Sequence, residues 1–331
     1  MTLRLGLVAL CFCGLTACTG RALDLDQEAP PSPAEVDSDP GLPASLGGVR
    51  GVWVDDQRLY WLAAVRLQSC LKADCKHTTL TYPTQANVGD AVVGGGHVYW
   101  WWNPAGQAFD STAFACPAEG CSTDPVTIVQ EGSVSDVAPF AYQGYFYWSS
   151  AVDLYRCPAS GCAATPEVVA SGARAYSLVF DEAHAYWLDW AGGLSSAPVD
   201  GSEPPKLLIP LAEQGALAVG GGYLYWTARK QVFRCAIASC DATPPTLLAT
   251  DDSEISDLEI DDTAMYWVTA NSIHSCPLSG CEQSQVLTPP RVPDLYDWNK
   301  RSFALDGSDI YWIDAGDLHD TRTWSLSRIS K

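Results

Sequence analysis

The stretch ALAVGGGYLYWTA, residues 216–228, contains a Tyr-Trp pair that occurs seven times in the chain. The seven tyrosines that precede a tryptophan in this pattern are Tyr60, Tyr99, Tyr147, Tyr186, Tyr225, Tyr266 and Tyr311. The steps between them are 39, 48, 39, 39, 41 and 45 residues. A near-constant period of this length predicts a repeat architecture in which each unit packs against its neighbours.

Each repeat has the pattern of four short β-strands. Positions eight and six before the tyrosine are mostly apolar, as at Leu217 and Val219, and a Gly- or Asp-containing turn separates them from the Tyr-Trp strand. A third strand leads into a turn with two cysteines, and a fourth strand leaves it. Four antiparallel strands in about 40 residues make one propeller blade. The sequence therefore predicts an all-β protein with a single β-propeller, and seven blades are favoured over six.

The Tyr-Trp pairs are interpreted as structural. Adjacent strand residues point to opposite faces, so the two rings of a pair are expected to pack against different neighbouring blades. A tryptophan that buries about 200 Å² contributes on the order of 5 kcal/mol before entropy is subtracted. The recurrent turn aspartates Asp55, Asp181, Asp261 and Asp306 are likewise explained by hairpin turns.

Three of the repeats resemble a known motif. The segments YWTA at 225–228, YWLD at 186–189 and YWID at 311–314 are similar to the YWTD repeat of lipoprotein-receptor β-propellers and the broader TolB-like group. Only Asp189 and Asp314 match the aspartate of that motif. The resemblance covers nearly the whole mature domain at the level of fold. Domains of the YWTD type close with six blades, whereas seven repeats are present in this chain.

The N-terminal region predicts export and lipidation. Arg4 precedes a short apolar run at 5–15, which is typical of a secretory signal peptide. The ending Leu-Thr-Ala-Cys resembles the bacterial lipobox, which implies removal of residues 1–17 and a lipid on Cys18. By resemblance to lipoprotein sorting, Thr19 favours the outer membrane or cell surface. The alternative is an ordinary signal peptide with a chance cysteine.

A tether and one domain are predicted after the signal peptide. Residues 18–47 are rich in proline and carboxylates and are predicted to be a lipidated tether, and residues 48–331 to be the propeller. The seventh repeat has a third strand near residues 323–330 but no fourth strand after it. Either a segment before Gly48 completes that blade or the blade is short, and we favour the short blade.

Ten cysteines form five pairs at one spacing. The pairs are Cys70 with Cys75, Cys116 with Cys121, Cys157 with Cys162, Cys235 with Cys240, and Cys276 with Cys281. An even number of cysteines after a secretion signal predicts disulfides. In the fourth repeat both positions change together, to Ala197 and Ser202, as a bonded pair would. Zinc is the alternative, but a structural zinc site needs four ligands and each repeat supplies two.

Composition and motifs favour binding over catalysis. A net charge of −20 argues against nucleic-acid binding, and membrane contact is expected through the lipid anchor only. No hydrolase or nucleotide-binding motif is present, the five histidines are scattered, and no cofactor, metal or catalytic residue is predicted. The favoured function is a binding or scaffolding module for a protein or an envelope glycan. The alternative is a metal-dependent propeller hydrolase with carboxylates at the central channel.

Insertions predict where a partner binds. Repeat two runs seventeen residues from Tyr99 to its first cysteine, where most repeats run ten; repeat seven and the link before it are also long. These segments are expected to share one sector of the face opposite the cysteine turns, and their Trp and Asp content is typical of an interface. The candidate residues for this binding face are Trp101, Trp102, Phe109, Asp110, Tyr296, Asp297, Trp298, Asp317, His319 and Asp320.

Overall fold

A computed structural model describes residues 49–63, 66–84, 88–102, 111–129, 139–150, 152–162, 165–211, 215–270, 272–281, 284–288, 302–315 and 324–331. By compactness the chain divides into Met1–Ser32 and Pro33–Lys331, and all described residues belong to the second unit. Within these ranges the secondary structure is β-strand apart from one 3-10 helix, Ile237–Ser239. No helix in the described part of the chain is long and apolar enough to cross a membrane.

The described strands form seven antiparallel sheets, which we number as blades 1–7 in chain order. Blade 1 contains β1 (Val49–Val54), β2 (Arg58–Ala63), β3 (Arg66–Leu71) and β4 (Leu80–Thr81); blade 2 contains β5 (Val88–Gly94), β6 (His97–Trp102), β7 (Thr112–Pro117) and β8 (Val126–Val129). Blade 3 contains β9 (Phe140–Tyr142), β10 (Tyr145–Ser149), β11 (Asp153–Pro158) and β12 (Glu167–Ser171); blade 4 contains β13 (Ala175–Phe180), β14 (His184–Asp189), β15 (Gly193–Pro198) and β16 (Lys206–Ile209). Blade 5 contains β17 (Leu217–Gly220), β18 (Tyr223–Ala228), β19 (Gln231–Ala236) and β20 (Thr246–Thr250); blade 6 contains β21 (Ile255–Ile260), β22 (Ala264–Thr269), β23 (Ser272–Pro277) and β24 (Gln285–Thr288). Blade 7 contains β25 (Phe303–Leu305), β26 (Asp309–Ala315) and β27 (Trp324–Ser330).

The strands of each blade pair in chain order, so every blade is a simple meander. The turns after the first and third strands therefore lie on one side of the ring, which we call the turn face. The turns after the second strands and the links between blades lie on the other side, the link face. Blade 1 packs against blade 7, because Val49 and Val52 share a hydrophobic cluster with Tyr311 and Leu326. The prediction of one seven-bladed β-propeller is confirmed, and blade 7 has three strands among the described residues.

Seven hydrophobic clusters fill the seven interfaces between blades. The tyrosine of each Tyr-Trp pair packs towards the following blade and the tryptophan towards the preceding one. In blade 5, for example, Tyr225 packs with Leu258 of blade 6, whereas Trp226 packs with Leu188 of blade 4. All seven tryptophans of the pairs are at most 3% exposed. The pairs are therefore wedges of the inter-blade core, as the strand periodicity predicts.

The turn aspartates organise the turn face. Asp181 accepts hydrogen bonds at Oδ1 from the backbone N–H groups of Ala183 (2.9 Å) and His184 (2.7 Å), and at Oδ2 from the hydroxyl of Tyr186 (2.7 Å). Asp55, Asp261 and Asp306 repeat this pattern in blades 1, 6 and 7. Each aspartate thus fixes its turn and satisfies the hydroxyl of a buried tyrosine, so its role is structural.

All five predicted cysteine pairs form disulfides. The turns that they close also pack against the outer strand of the preceding blade. Gly161 has a φ of 88°, and a Cβ atom at this position would lie 2.8 Å from the carbonyl oxygen of Thr127 in blade 2. Glycine is needed at this position both for its φ and for the close approach of the neighbouring backbone. Blade 4 lacks the disulfide, and Ala197 is instead buried in the core between blades 3 and 4.

Candidate binding site

A cavity of about 310 Å³ lies where the first strands of the blades meet. Its lining comes from the first strands of blades 1–6, with rings from Trp53, Phe140, Tyr142 and Tyr176. The first strand of a blade pairs on one side only, so its other edge directs backbone N–H and C=O groups towards the cavity. The ring axis therefore carries a concave site with both apolar surface and backbone hydrogen-bonding groups.

Three carboxylates give the cavity a negative charge. Asp90, Asp257 and Glu259 belong to its lining, which contains no Lys, Arg or His among the described residues. Backbone N–H groups donate to all three: Ala91 to Asp90 (2.7 Å), Leu258 to Asp257 (2.9 Å), and Leu305 to Glu259 (3.2 Å). In the described ranges, no three His, Cys, Asp or Glu residues come together in a group that could hold a metal ion. Each of the three carboxylates thus has at least one backbone partner.

An exposed tryptophan lies beside the cavity on the link face. Trp190, 44% exposed, occupies the turn between β14 and β15, and its ring contacts the ring of the cavity residue Tyr176 with centroids 4.9 Å apart. The turn is held by Asp189, which accepts from the backbone N–H groups of Ala191 (2.7 Å) and Arg174 (3.0 Å). Asp189, the aspartate of the YWTD-like motif, thus positions an aromatic platform at the edge of the cavity.

Ser272 and His274 of blade 6 form a cluster with Asp251 of the link between blades 5 and 6, and the sequence analysis did not identify it. His274 Nε2 lies 2.5 Å from Ser272 Oγ and 3.4 Å from Asp251 Oδ2. A catalytic triad needs the carboxylate on the other ring nitrogen, so this geometry does not match one. His274 pairs with Trp267 across the two strands and stacks on it, as Phe233 does on Trp226 in blade 5. The imidazole therefore takes the place of a core aromatic ring.

The structure corrects one predicted binding-face residue. Trp101 is 5% exposed and packs against Phe146 and Trp148 in the core between blades 2 and 3. The reason is strand periodicity: β6 continues through Trp102, so Trp101 points to the same face as Tyr99. Trp102 ends β6 and is partly buried. The other candidates, together with Cys18, lie outside the described residues: Phe109, Asp110, Tyr296, Asp297, Trp298, Asp317, His319 and Asp320.

The strand ends place the predicted insertions relative to the ring. The first insertion lies between β6 and β7, the second between β26 and β27, and the long link between β24 and β25. All three connect strand ends on the link face, the face that carries Trp190. Whether their side chains form a binding surface remains a prediction.

The sequence matches no protein-family model and none of the curated proteins compared with it. The fold is similar to that of the computationally designed Ika8 protein, at 9% identity over 87% of this chain and 98% of that chain, with a TM-score of 0.58. Apo AztD from Citrobacter koseri aligns at 13% identity over 81% of this chain and 80% of that chain (TM-score 0.54). A puromycin-hydrolyzing peptidase from Mycobacterium tuberculosis aligns at 16% identity over 70% of this chain and 44% of that longer chain (TM-score 0.54). Identities this low show a shared fold alone, so kinship with YWTD-type or TolB-like propellers stays a prediction.

Proposed function

We propose that this protein is a bacterial cell-envelope lipoprotein whose propeller binds or scaffolds a partner and performs no catalysis. The observation that carries the proposal is the cavity on the ring axis, with an exposed, positioned tryptophan at its edge. Exposed tryptophans are enriched at the centres of protein interfaces. The net charge of −20 favours a partner that presents Lys or Arg. A protein with a basic loop or terminus is therefore the favoured partner, with an envelope glycan as the second choice.

The proposed location follows from the N-terminal sequence. A lipid on Cys18 would hold the chain at the membrane, with the outer membrane or cell surface favoured by Thr19. The following segment, residues 18–47, would let the propeller reach partners roughly 30 Å from the lipid. In this arrangement the anchor limits the propeller to partners of the envelope.

The proposal is tested by photo-crosslinking of the full-length chain in its native envelope. One variant, Trp190→p-benzoyl-phenylalanine, carries the crosslinker at the edge of the cavity. The matched control in the same blade is Leu207→p-benzoyl-phenylalanine, because Leu207 is 55% exposed but lies on the outer strand β16. We expect a discrete crosslinked protein from the first variant and none from the control. A Cys18→Ser variant should lose both the lipid and the crosslink.

Two outcomes would contradict the proposal. Equal crosslinking from both positions would mean that the cavity edge is not a specific surface. Metal-dependent hydrolysis by the purified chain, abolished by Asp257→Asn or Glu259→Gln, would favour the propeller hydrolase, whose only structural support is the set of carboxylates at the cavity.

A further inference from the structure

Blade 1 contains a buried arginine that has no anionic partner. Arg58, in β2, is 8% exposed, and it forms no ion pair among the described residues. Its Nε donates to Ser69 Oγ (3.1 Å), whereas its buried Nη2 has no hydrogen-bond acceptor in the described part of the chain. A guanidinium group stays protonated at physiological pH. The core therefore contains an unpaired positive charge at this position, which is strongly destabilising unless an anion compensates it.

A comparison with blade 3 shows which contact Arg58 lacks. Arg156 donates to the carbonyl oxygen of Val199, which follows the third strand of blade 4, and the equivalent arginine of blade 5 does the same towards blade 6. The corresponding carbonyl for blade 1 is that of Ala118, which follows the third strand of blade 2. This oxygen accepts from the hydroxyl of Tyr82 instead (2.6 Å). A hydroxyl thus takes the place of the arginine at this acceptor.

The other polar groups near Arg58 are engaged with one another. Tyr82 uses its one proton on the carbonyl of blade 2, so Ser69 is the donor in the contact between Ser69 Oγ and Tyr82 Oη (3.1 Å). Asp55 accepts from two backbone N–H groups of its turn and from the hydroxyl of Tyr60 (2.5 Å). The buried Nη2 therefore needs an acceptor from outside the described residues.

The surroundings of Arg58 restrict what this acceptor is. Ser69 is fully buried and Tyr82 is 2% exposed, so only a small ion can reach Nη2. The guanidinium group selects an anion. Burial first, and then the charges of Asp55 and Glu119, raise the pKa of Tyr82, so both carboxylates lie close enough to repel a second negative charge on the ion. A small monovalent anion fits these limits.

We propose that Arg58 binds one halide-sized monovalent anion between blades 1 and 2, near the turn face. Arg58 and Tyr60 lie two residues apart on β2 and point to the same side, towards blade 2. The anion supplies the acceptor that a backbone carbonyl supplies in blades 3 and 5. It compensates the buried charge and stabilises this interface. The proposal goes beyond the proposed binding function and is independent of it.

Urea unfolding of the full-length chain tests the proposal. The two conditions are 100 mM sodium bromide and 100 mM sodium gluconate, which match in ionic strength, and gluconate is too large for the site. For a dissociation constant of about 10 mM, bromide should lower the equilibrium constant of unfolding on the order of 10-fold. Arg58→Met, which keeps the length without the charge, should lose this response. In gluconate the variant should be at least as stable as wild type, because it removes an unpaired buried charge.

Two further variants serve as controls. Arg234 already donates to a carbonyl, so Arg234→Met should keep the full response to bromide. Glu119→Gln tests whether the exposed Glu119 is the counterion instead, and it should leave the stability in gluconate unchanged. Equal responses of wild type and Arg58→Met to bromide would overturn the proposal. A loss of stability in gluconate for Glu119→Gln would overturn it as well.

Diffraction from the wild-type chain crystallised with sodium bromide tests the site without a variant. Anomalous scattering should place one bromide ion within hydrogen-bond distance of Arg58 Nη2. Bromide found solely at exposed lysines and arginines would indicate an adventitious ion only and would contradict the proposal.

Discussion

Blades 6 and 7 join the following blade through an aspartate, whereas blades 3 and 5 join theirs through an arginine. Asp261 of blade 6 accepts from Lys331 Nζ of blade 7 (2.7 Å), and Asp306 of blade 7 accepts from Lys72 Nζ of blade 1 (2.7 Å). In the other group, Arg156 donates to the carbonyl oxygen of Val199 in blade 4 (2.7 Å). Arg234 donates in the same way to Leu278 in blade 6 (2.7 Å). Both kinds of contact connect neighbouring blades near the turn face.

The difference originates in the first turn of each blade. Blades 6 and 7 turn on an aspartate, which leaves a carboxylate oxygen at the blade edge for a lysine of the next blade. Blades 3 and 5 turn on glycines with positive φ, Gly144 and Gly222, and offer no carboxylate. Their cation comes instead from their own third strand and lies over a tyrosine ring: Arg156 over Tyr145 at 4.6 Å and Arg234 over Tyr223 at 4.9 Å. In these four blades, the turn residue thus correlates with which blade supplies the cation.

Contact with a lysine also lowers the pKa of the aspartate. Burial alone would raise the pKa of Asp306, but Lys72 and the N–H groups of Ser308 and Asp309 outweigh it and hold the pKa at about 2. Asp261 is similar: Lys331 and two N–H groups overcome burial and hold its pKa well below the usual range. Both aspartates stay ionised in the folded state, so the lysine-bridged interfaces depend on charge. The arginine interfaces depend on a neutral carbonyl acceptor.

The largest loss of stability is expected in an aspartate turn that contacts a lysine. An aspartate turn without a lysine provides the comparison. Asp306→Ala removes the turn hydrogen bonds, the acceptor of Tyr311 and the partner of Lys72, and should lower the free energy of unfolding by about 3 kcal/mol. Asp55→Ala removes the same turn and tyrosine contacts without a lysine, so about 2 kcal/mol is expected. Urea unfolding of both variants measures the difference. Equal losses would mean that the lysine adds nothing to the interface.

An intermediate effect is expected from Lys72→Met, and it depends on pH. At neutral pH the variant should lose about 2 kcal/mol, because it leaves the largely buried Asp306 carboxylate without its cation. The folded pKa of Asp306 is below the unfolded value of about 3.9, so its contribution is complete above pH 4 and is lost as the pH falls towards 2. The difference between wild type and variant should therefore shrink between pH 4 and pH 2.

Lys206→Met provides the control for this titration. Lys206 contacts Asp241, but the two side chains are 62% and 38% exposed, so the pair is screened by solvent. We expect almost no change in stability at any pH for this variant. A gap between wild type and Lys72→Met that stays constant down to pH 2 would disagree with an ionised Asp306 as the partner.

Much of this fold could be predicted from sequence, since it rests on local periodicity. The spacing of the Tyr-Trp pairs predicts seven blades, and the constant cysteine spacing predicts five disulfides. The burial of Trp101 could also have been predicted, because Leu62, Leu188 and Val268 hold the same position relative to their tyrosines and are buried. The contact of Lys72 with Asp306 could not be predicted from the sequence, because it joins residues 234 positions apart that meet only when the ring closes.

The cavity could not be predicted from the sequence either. It is made of backbone edges and side chains from six blades, and no local pattern marks which of them meet. Asp90, Asp257 and Glu259 were not singled out for the same reason: Asp90 is one polar residue in an otherwise apolar strand, and Asp257 and Glu259 alternate with Leu258 and Ile260 in β21. The position opposite the tryptophan, in contrast, lies two residues before the first cysteine in every repeat that has a cysteine pair. An alignment of the repeats on the cysteines would therefore have identified His274.

The smallest expected effect concerns the arginine interfaces and their response to salt. Arg234→Met loses one hydrogen bond to a carbonyl and the contact with the Tyr223 ring, so about 1 kcal/mol of stability should be lost. Arg174→Met is the matched control: Arg174 is exposed, so no loss of stability is expected.

In 1 M NaCl the loss of stability caused by Lys72→Met should decrease, because ions screen the pair, whereas the loss caused by Arg234→Met should persist. If salt weakened both effects equally, the two kinds of interface would share one electrostatic origin, and the distinction between them would be wrong.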